Sequence, residues 1–261
     1  MISLAAELRR RIREGPILGS LLLGRDPAFV EVYATSGWDF VVADCEHGLQ
    51  DGRALLDFQR AAETAGIPLL VRAPAKDVGR LVPILDAGLA GVVLAQAEDG
   101  TEVSAAAARI SFGPGSRRSL NPFVRIAGYG SVDASALAAG TDRPVVWTMA
   151  EGADDRATED ILSASGLDGV LVGPYDLSVS VGHPGDVEHR DVQARIAGIF
   201  RAAGARGLTP GVFVRGAAAA AHNLNAGARM VVLGVDLDIM RGHLASLREA
   251  VAQRYGGRDE G

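Results

Sequence analysis

Lysine is almost absent from this 261-residue chain: of its 26 basic residues only Lys76 is a lysine, and the rest are arginines. A mechanism that needs a buried lysine, such as a Schiff base with a carbonyl substrate or a phosphate-loop lysine, has Lys76 alone to draw on. That residue follows Pro74-Ala75 and precedes Asp77, which reads as an exposed helix start. Cysteine is equally scarce: Cys45 stands alone, so there is no internal disulfide, and the composition suits a reducing cytoplasm. With no partner at metal-binding spacing, Cys45 reads as a plain buried thiol. An excess of basic charge is missing too: the net charge is −6, with no basic stripe, which argues against nucleic acid as a partner. A few arginines inside a cleft would still hold an anionic small molecule. No apolar run approaches membrane-spanning length, and Met1–Glu14 is charged throughout with no apolar h-region, so no membrane association is expected. Phosphate-loop, dinucleotide-glycine and nucleophile-elbow patterns are absent. A soluble, cytoplasmic chain with residues 1–261 in a single domain is expected, and 48% hydrophobic residues supply a sizeable core for it.

What is present is a regular alternation. Apolar runs at Ile17–Leu23, Phe40–Ala43, Pro68–Ala73, Gly91–Ala95, Val145–Met149, Gly169–Val172, Gly211–Val214 and Met230–Val235 are continuous rather than alternating, as parallel strands covered on both faces must be. Helical periodicity fills 26–36, 52–65, 78–88, 101–110, 154–164, 188–206, 216–226 and 238–254. Asp26-Pro27, Asp51, Asp77 and Asp154 sit where N-caps belong, and Gly37, Gly66, Gly88, Gly166, Gly207 and Gly227 each stand between a helix and the next strand. Eight strand-then-helix units predict a (β/α)8 TIM barrel, with a doubly wound sheet as the alternative. One irregular stretch, Ser111–Arg143, separates the fourth and fifth units, and a loop that long is usually functional or partly mobile.

Active sites of such barrels lie at the C-terminal ends of the strands. The polar residues that close the runs are Asp44-Cys45-Glu46-His47, Arg72, Glu151, Gly173-Pro174-Tyr175-Asp176 and Asp236. Glu151 and Asp176 are 25 positions apart, about one βα unit, which puts them side by side on adjacent strands. Two such carboxylates repel unless a cation or shared proton intervenes; all-oxygen ligation suits Mg2+ or Mn2+, while capping of the following helices is the structural alternative. His47 at a strand end suits a general base, a metal ligand or a satisfied loop residue. The other histidines, His183, His189, His222 and His243, fall in loops or helices and read as surface residues. Arg72 closes an apolar strand and needs an anionic partner, either a substrate carboxylate or a structural Asp44 or Glu98.

Several stretches then add a family resemblance. Gly37-Trp38-Asp39-Phe40-Val41-Val42-Ala43-Asp44 leads into Glu46-His47-Gly48, followed by Val71-Arg72, Ile84-Leu85-Asp86-Ala87-Gly88, Arg118-Ser119 with Pro122, Met149-Ala150-Glu151, Gly173-Pro174-Tyr175-Asp176-Leu177-Ser178 and Leu233-Gly234-Val235-Asp236. In this order and spacing the sequence resembles the HpcH/HpaI aldolase family of class II pyruvate aldolases. The resemblance implies a (β/α)8 barrel assembled as a homo-oligomer, a hexamer or trimer of dimers, with its last helix exchanged between neighbours. It implies that Glu151 and Asp176 bind a divalent metal ion (Mg2+, Mn2+ or Co2+) and that Arg72 holds the pyruvyl group. The backbone at Gly173, Pro174 and Tyr175 would receive the carboxylate, His47 oriented by Asp86 would act as the base, and Arg118 rather than Arg117 would face the substrate. The reaction implied is cleavage or formation of 4-hydroxy-2-oxo acids, from pyruvate or a related 2-oxo acid plus an aldehyde, through a pyruvate enolate. Related enolate enzymes, of the decarboxylase or acyl-lyase kind, and a non-catalytic 2-oxo-acid-binding barrel are the alternatives. The chain departs from the family pattern at Met149, at Ala95-Gln96-Ala97-Glu98 and through Asn121–Arg143, where relatives shape the aldehyde pocket.

Overall fold

The computed structural model describes residues 3–140, 143–152 and 154–255. Its eight strands are β1 (Ile17–Leu22), β2 (Phe40–Asp44), β3 (Leu69–Pro74), β4 (Gly91–Ala95), β5 (Val145–Ala150), β6 (Gly169–Val172), β7 (Thr209–Val214) and β8 (Met230–Val235). All pair in parallel in sequence order, and β8 returns to β1 through Ile17 against Met230, which closes the sheet into a barrel. The doubly wound alternative is thereby excluded. Each strand falls within two residues of its expected run, because a strand with barrel interior on one side and helices on the other has no polar face to break the pattern.

The helices are α1 (Leu4–Glu14), α2 (Ala28–Thr35), α3 (Gly52–Ala65), α4 (Val82–Asp86), α5 (Gly100–Ile110), α6 (Ala134–Ala138), α7 (Asp155–Leu162), α8 (Pro174–Ser180), α9 (Arg190–Ala205), α10 (Ala217–Asn225) and α11 (Asp236–Tyr255). Asp51 caps α3 by accepting the amides of Arg53 and Ala54, and Asp154 caps α7 in the same way. The six glycines expected between helix and strand all have positive φ, from 69° at Gly66 to 111° at Gly227, a region that costs other residues energy. The helix expected over 78–88 is instead a 3₁₀ helix, Ala75–Leu81, followed by the short α4, and Asp77 lies inside the 3₁₀ helix rather than capping it. Pro83, with no amide hydrogen to donate backwards, explains why the segment is broken there. Lys76 is exposed on this 3₁₀ helix.

Two hydrophobic layers result. Inside the barrel Ile17, Phe40, Val42, Leu70, Val93, Trp147, Leu171 and Val232 pack together, with Phe40 and Trp147 edge to face at 6.1 Å. Outside it the alternate strand residues Val41, Val71, Val92, Val146, Val170, Val212 and Val231 meet the helices. Helix α1, absent from the sequence expectation, closes the N-terminal end: Leu8 is fully buried among the interior residues and Ile12 packs beside them. Its Arg9 bonds Asp168 and the carbonyls of Arg143 and Pro144. Of the stretch expected to be irregular, residues 111–140 contain a 3₁₀ turn at Arg125–Ala127 and α6, and 141–142 lie outside the described residues. Residues 111–140 pack with α1 and Pro144 around a cavity of about 350 Å³, at the end of the barrel where the strands begin. No helix among the described residues is long and apolar enough to cross a membrane.

Candidate active site

At the opposite end, where the strands finish, a cavity of about 450 Å³ is lined by Asp44, His47, Arg72, Met149, Glu151, Gly173, Pro174, Tyr175, Asp176 and Arg215 among others. Its floor is an ion pair between neighbouring strands. Asp44 and Arg72 are register partners in β2 and β3, so both side chains point the same way into the barrel mouth. Arg72 Nε donates to Asp44 Oδ1 at 3.0 Å and Nη2 to Oδ2 at 2.8 Å, with Asp44 fully buried and the Arg72 side chain 13% exposed. Of the partners considered for Arg72, Asp44 is the one present. Glu46 Oε2 adds a second anion at 3.2 Å from Nε. Burial works against the guanidinium charge, yet Asp44 hydrogen bonding and the charges of Asp44, Glu46 and Glu151 raise the Arg72 pKa above its ordinary value. The remaining nitrogen, Nη1, meets only the weak acceptor Met149 Sδ at 3.9 Å and faces the cavity with donors to spare. Glu46 is held from the other side by Gln96 Nε2 at 3.0 Å; Gln96 adopts a φ of 54°, an uncommon backbone state for a residue with a side chain.

Glu151, just past β5, and Asp176, in the first turn of α8 after β6, line the same wall. Burial first, then the charges of Asp176 and Glu46, push the Glu151 carboxyl up to about 7, with Arg72 pulling the other way. Three carboxylates thus share a mouth whose nearest cation is already bonded to a fourth, a donor set made of hard oxygens that fits a divalent cation. Gly173 is required beside it. A Cβ there would stand 2.7 Å from Glu151 Oε1 and 3.1 Å from the methyl of Met149, so a side chain at this position would displace the carboxylate.

His47 is 68% exposed on the rim, with Glu46 Oε2 at 4.0 Å. Across the cavity Tyr175 leans on Phe213 with ring centres 6.4 Å apart. Arg215, directly after β7, bonds Asp238 of α11 at 2.9 Å (Nη2 to Oδ2), and the Tyr175 hydroxyl beside it also favours its charged form. Arg215 and Asp238 were not singled out from the sequence, although Arg215 closes the seventh apolar run just as Arg72 closes the third. Asp236, also at a strand end, is structural: it accepts the amides of Leu23 and Gly24 at 3.0 and 2.8 Å.

Two expected site residues lie elsewhere. Asp86 does not reach His47 within this chain. It is the last residue of α4 and pairs with Arg118 Nη2 at 2.5 Å. Arg118 is buried with its guanidinium 4.3 Å over the Phe112 ring, and it lines the cavity at the barrel's N-terminal end. The reason is topological: α4 runs from the strand ends back to the strand beginnings, and the segment after α5 stays there. The aldehyde-shaping role expected for Asn121–Arg143 meets the same obstacle in this chain. Arg117 is exposed.

An eight-stranded barrel carrying an arginine, a histidine and several carboxylates at its strand ends is a setting for acid–base and hard-metal chemistry. The family model for "HpcH/HpaI aldolase/citrate lyase" matches residues 19–242, and the chain belongs to that family and is an enzyme of the lyase class. It is similar to the hydroxypyruvate/pyruvate aldolase of Paraburkholderia phytofirmans, with 31% identity over 94% of this chain and 96% of that one. It is also similar to 5-keto-4-deoxy-D-glucarate aldolase of Escherichia coli O6:H1, with 30% identity over 83% and 84%. Among solved structures, the citrate synthase SbnG superposes with a TM-score of 0.83 at 28% identity, over 97% of this chain and 99% of that one.

Proposed function

We propose that this chain makes and cleaves 4-hydroxy-2-oxo acids by aldol chemistry, with pyruvate or a close 2-oxo acid as the enolate donor and an aldehyde as its partner. The observation that carries the reading is the Arg72 guanidinium, held by Asp44 on two nitrogens with Nη1 left to face the cavity. A donor fixed in this way has lost its rotamer freedom before substrate arrives, so it can meet a substrate oxygen at little entropic cost. Glu151 and Asp176 would hold the divalent ion, with Mg2+, Mn2+ and Co2+ the metals to test; the raised Glu151 carboxyl supports this, since a proton held by repulsion is readily exchanged for a cation. Bound there, the ion would supply Lewis-acid polarisation of a 2-oxo group. The first turn of α8 leaves the amides of Tyr175 and Asp176 without intrahelical acceptors, suited to a carboxylate. His47, on the open side, would take the proton of the C4 hydroxyl. The C3–C4 bond then breaks, its electrons stay with the 2-oxo fragment as an enolate, and the aldehyde leaves; proton return to C3 completes pyruvate.

The same reading includes a homo-oligomer. Helix α11 meets the barrel only at its start, and Leu237, Met240, Leu244, Leu247 and Val251 stand exposed along it at spacings of three and four, a stripe suited to a neighbouring subunit. Hexamer or trimer of dimers is the expected size. A second reading, a related enolate enzyme acting on an acidic electrophile, is favoured by the rim cation Arg215 and by the likeness to citrate synthase SbnG.

Cleavage of 4-hydroxy-2-oxo acids, followed by pyruvate release with and without chelator, tests the proposal. Pyruvate formation that stops in chelator and returns with Mg2+, Mn2+ or Co2+ is expected. Undiminished turnover in chelator, or failure of both Arg72→Ala and Glu151→Gln to reduce it, would overturn the mechanism. Products formed from a panel of aldehydes and 2-oxo acids separate the two readings.

A further inference from the structure

We propose that His183, His189 and Asp191 form a second metal site, one that selects a borderline dication such as Zn2+ and is distinct from the carboxylate pair in the cavity. The two histidines lie in the loop between α8 and α9 and Asp191 in the first turn of α9. Their ligand atoms all lie within 4.8 Å of one another. Asp191 Oδ2 is 3.3 Å from His183 Nε2 and 3.7 Å from His189 Nδ1. A tetrahedral ion with bonds of about 2.0–2.1 Å requires ligand separations of roughly 3.3–3.4 Å, so two of the three edges are within a few tenths of an ångström of that value. The third, between the two imidazoles, is at most 4.8 Å; the rings stack with centres 3.4 Å apart, and an ion would require them to splay so that their in-plane lone pairs converge.

Solvent exposure agrees with this assignment. The Asp191 amide donates to His189 Nδ1 at 3.2 Å and so caps α9; an ion would take that lone pair in place of the cap. Both imidazoles lie at the surface but partly enclosed, with side chains 32% and 28% exposed, while Asp191 at 53% leaves an entry path. Two imidazoles with one carboxylate suit Zn2+ and its transition-metal neighbours, whereas Mg2+ prefers oxygen ligands such as those of Glu151 and Asp176.

The site is wired to the cavity wall. His183 donates its amide to the Ser178 carbonyl at 2.7 Å, Gly185 donates to Ser178 Oγ at 2.9 Å, and Ser178 Oγ donates to the Tyr175 carbonyl at 2.6 Å. An ion joining this loop to α9 braces α8, the helix that carries Tyr175 and Asp176.

Calorimetric titration of chelator-treated protein with Zn2+, in saturating Mg2+, provides the test. One Zn2+ per chain is expected in the wild type and in Glu151→Gln/Asp176→Asn, and none in His183→Ala/His189→Ala, whose fold is checked by circular dichroism. Should the double alanine variant unfold, Asp191→Asn replaces it, with at least tenfold weaker Zn2+ binding expected. Co2+ in place of Zn2+ is expected to give visible bands that the same substitutions abolish. A wild type that binds no Zn2+ in excess Mg2+, or a folded histidine variant that binds it undiminished, overturns the site. Turnover is not part of the readout, so the result stands apart from the aldolase reading.

Discussion

The Glu151 carboxyl links pH to stability in a direction opposite to that of most carboxylates. In the folded chain burial and the neighbouring charges of Asp176 and Glu46 push it up from 4.5 to about 7. Between pH 4.5 and 7 the folded state therefore still holds a proton that the unfolded state has released, and stability falls as pH rises through this window. Below it both states are protonated, and above it both are ionised with the full cost present. A shift of this size corresponds to about 3 kcal/mol, an upper figure because the side chain keeps some contact with water. The isolating perturbation is Glu151→Gln, which keeps the shape and removes the titration. Urea unfolding of both proteins, at one protein concentration and in chelator, is expected to give matching midpoints near pH 4.5. By pH 8 the wild type should be weaker, by about 1 M urea if the slope is about 3 kcal/mol per molar. Adding Mg2+ or Mn2+ at pH 8 should restore the wild type and leave Glu151→Gln unchanged, because an ion that binds only the folded state stabilises it by mass action. Parallel pH profiles for the two proteins in chelator would refute the reasoning.

Three further outcomes follow from the same geometry. Arg72→Ala leaves Asp44 buried and unpaired and should cost about 3–5 kcal/mol in chemical unfolding; Arg72→Lys, which cannot span both Asp44 oxygens, should fold but lose most cleavage activity. Asp86→Ala strands the buried Arg118 charge, so unfolding should register a loss of about 3 kcal/mol or more, and a variant of normal stability with an altered pH–rate profile would show that Asp86 acts on His47 instead. Leu244→Glu with Leu247→Glu, on the exposed stripe of α11, should reduce assembly size in light scattering while leaving the barrel's circular dichroism intact.

The barrel was legible because its physics is local. A parallel strand covered on both faces announces itself as an unbroken apolar run, and the glycines that end the helices are needed where φ turns positive. Helix α1 escaped notice because its charged residues dominate the composition; the signal was the spacing of Leu4, Ala5, Leu8 and Ile12, which puts one apolar face against the barrel floor. Asp44, Arg72, Glu151 and Asp176 were legible as candidates because strand ends converge at one mouth of a barrel. Which of them pair was not, since register between β2 and β3 decides that Arg72 meets Asp44.

Asp86 and Arg118 show where motif reading loses its hold. Resemblance supplies a residue type at a sequence position, and it carries no information about which end of the barrel that position occupies. The chain supplies it: residues after a strand stand at the mouth, and residues after a helix stand at the floor. By that rule Arg215, which follows β7, belongs with the site although no motif marks it, while Asp86 and Arg118 belong to the floor, where each neutralises the other's charge. Charge burial gives the same answer independently, because a guanidinium as enclosed as Arg118 is tolerated only with its counter-ion against it, and Asp86 is that counter-ion.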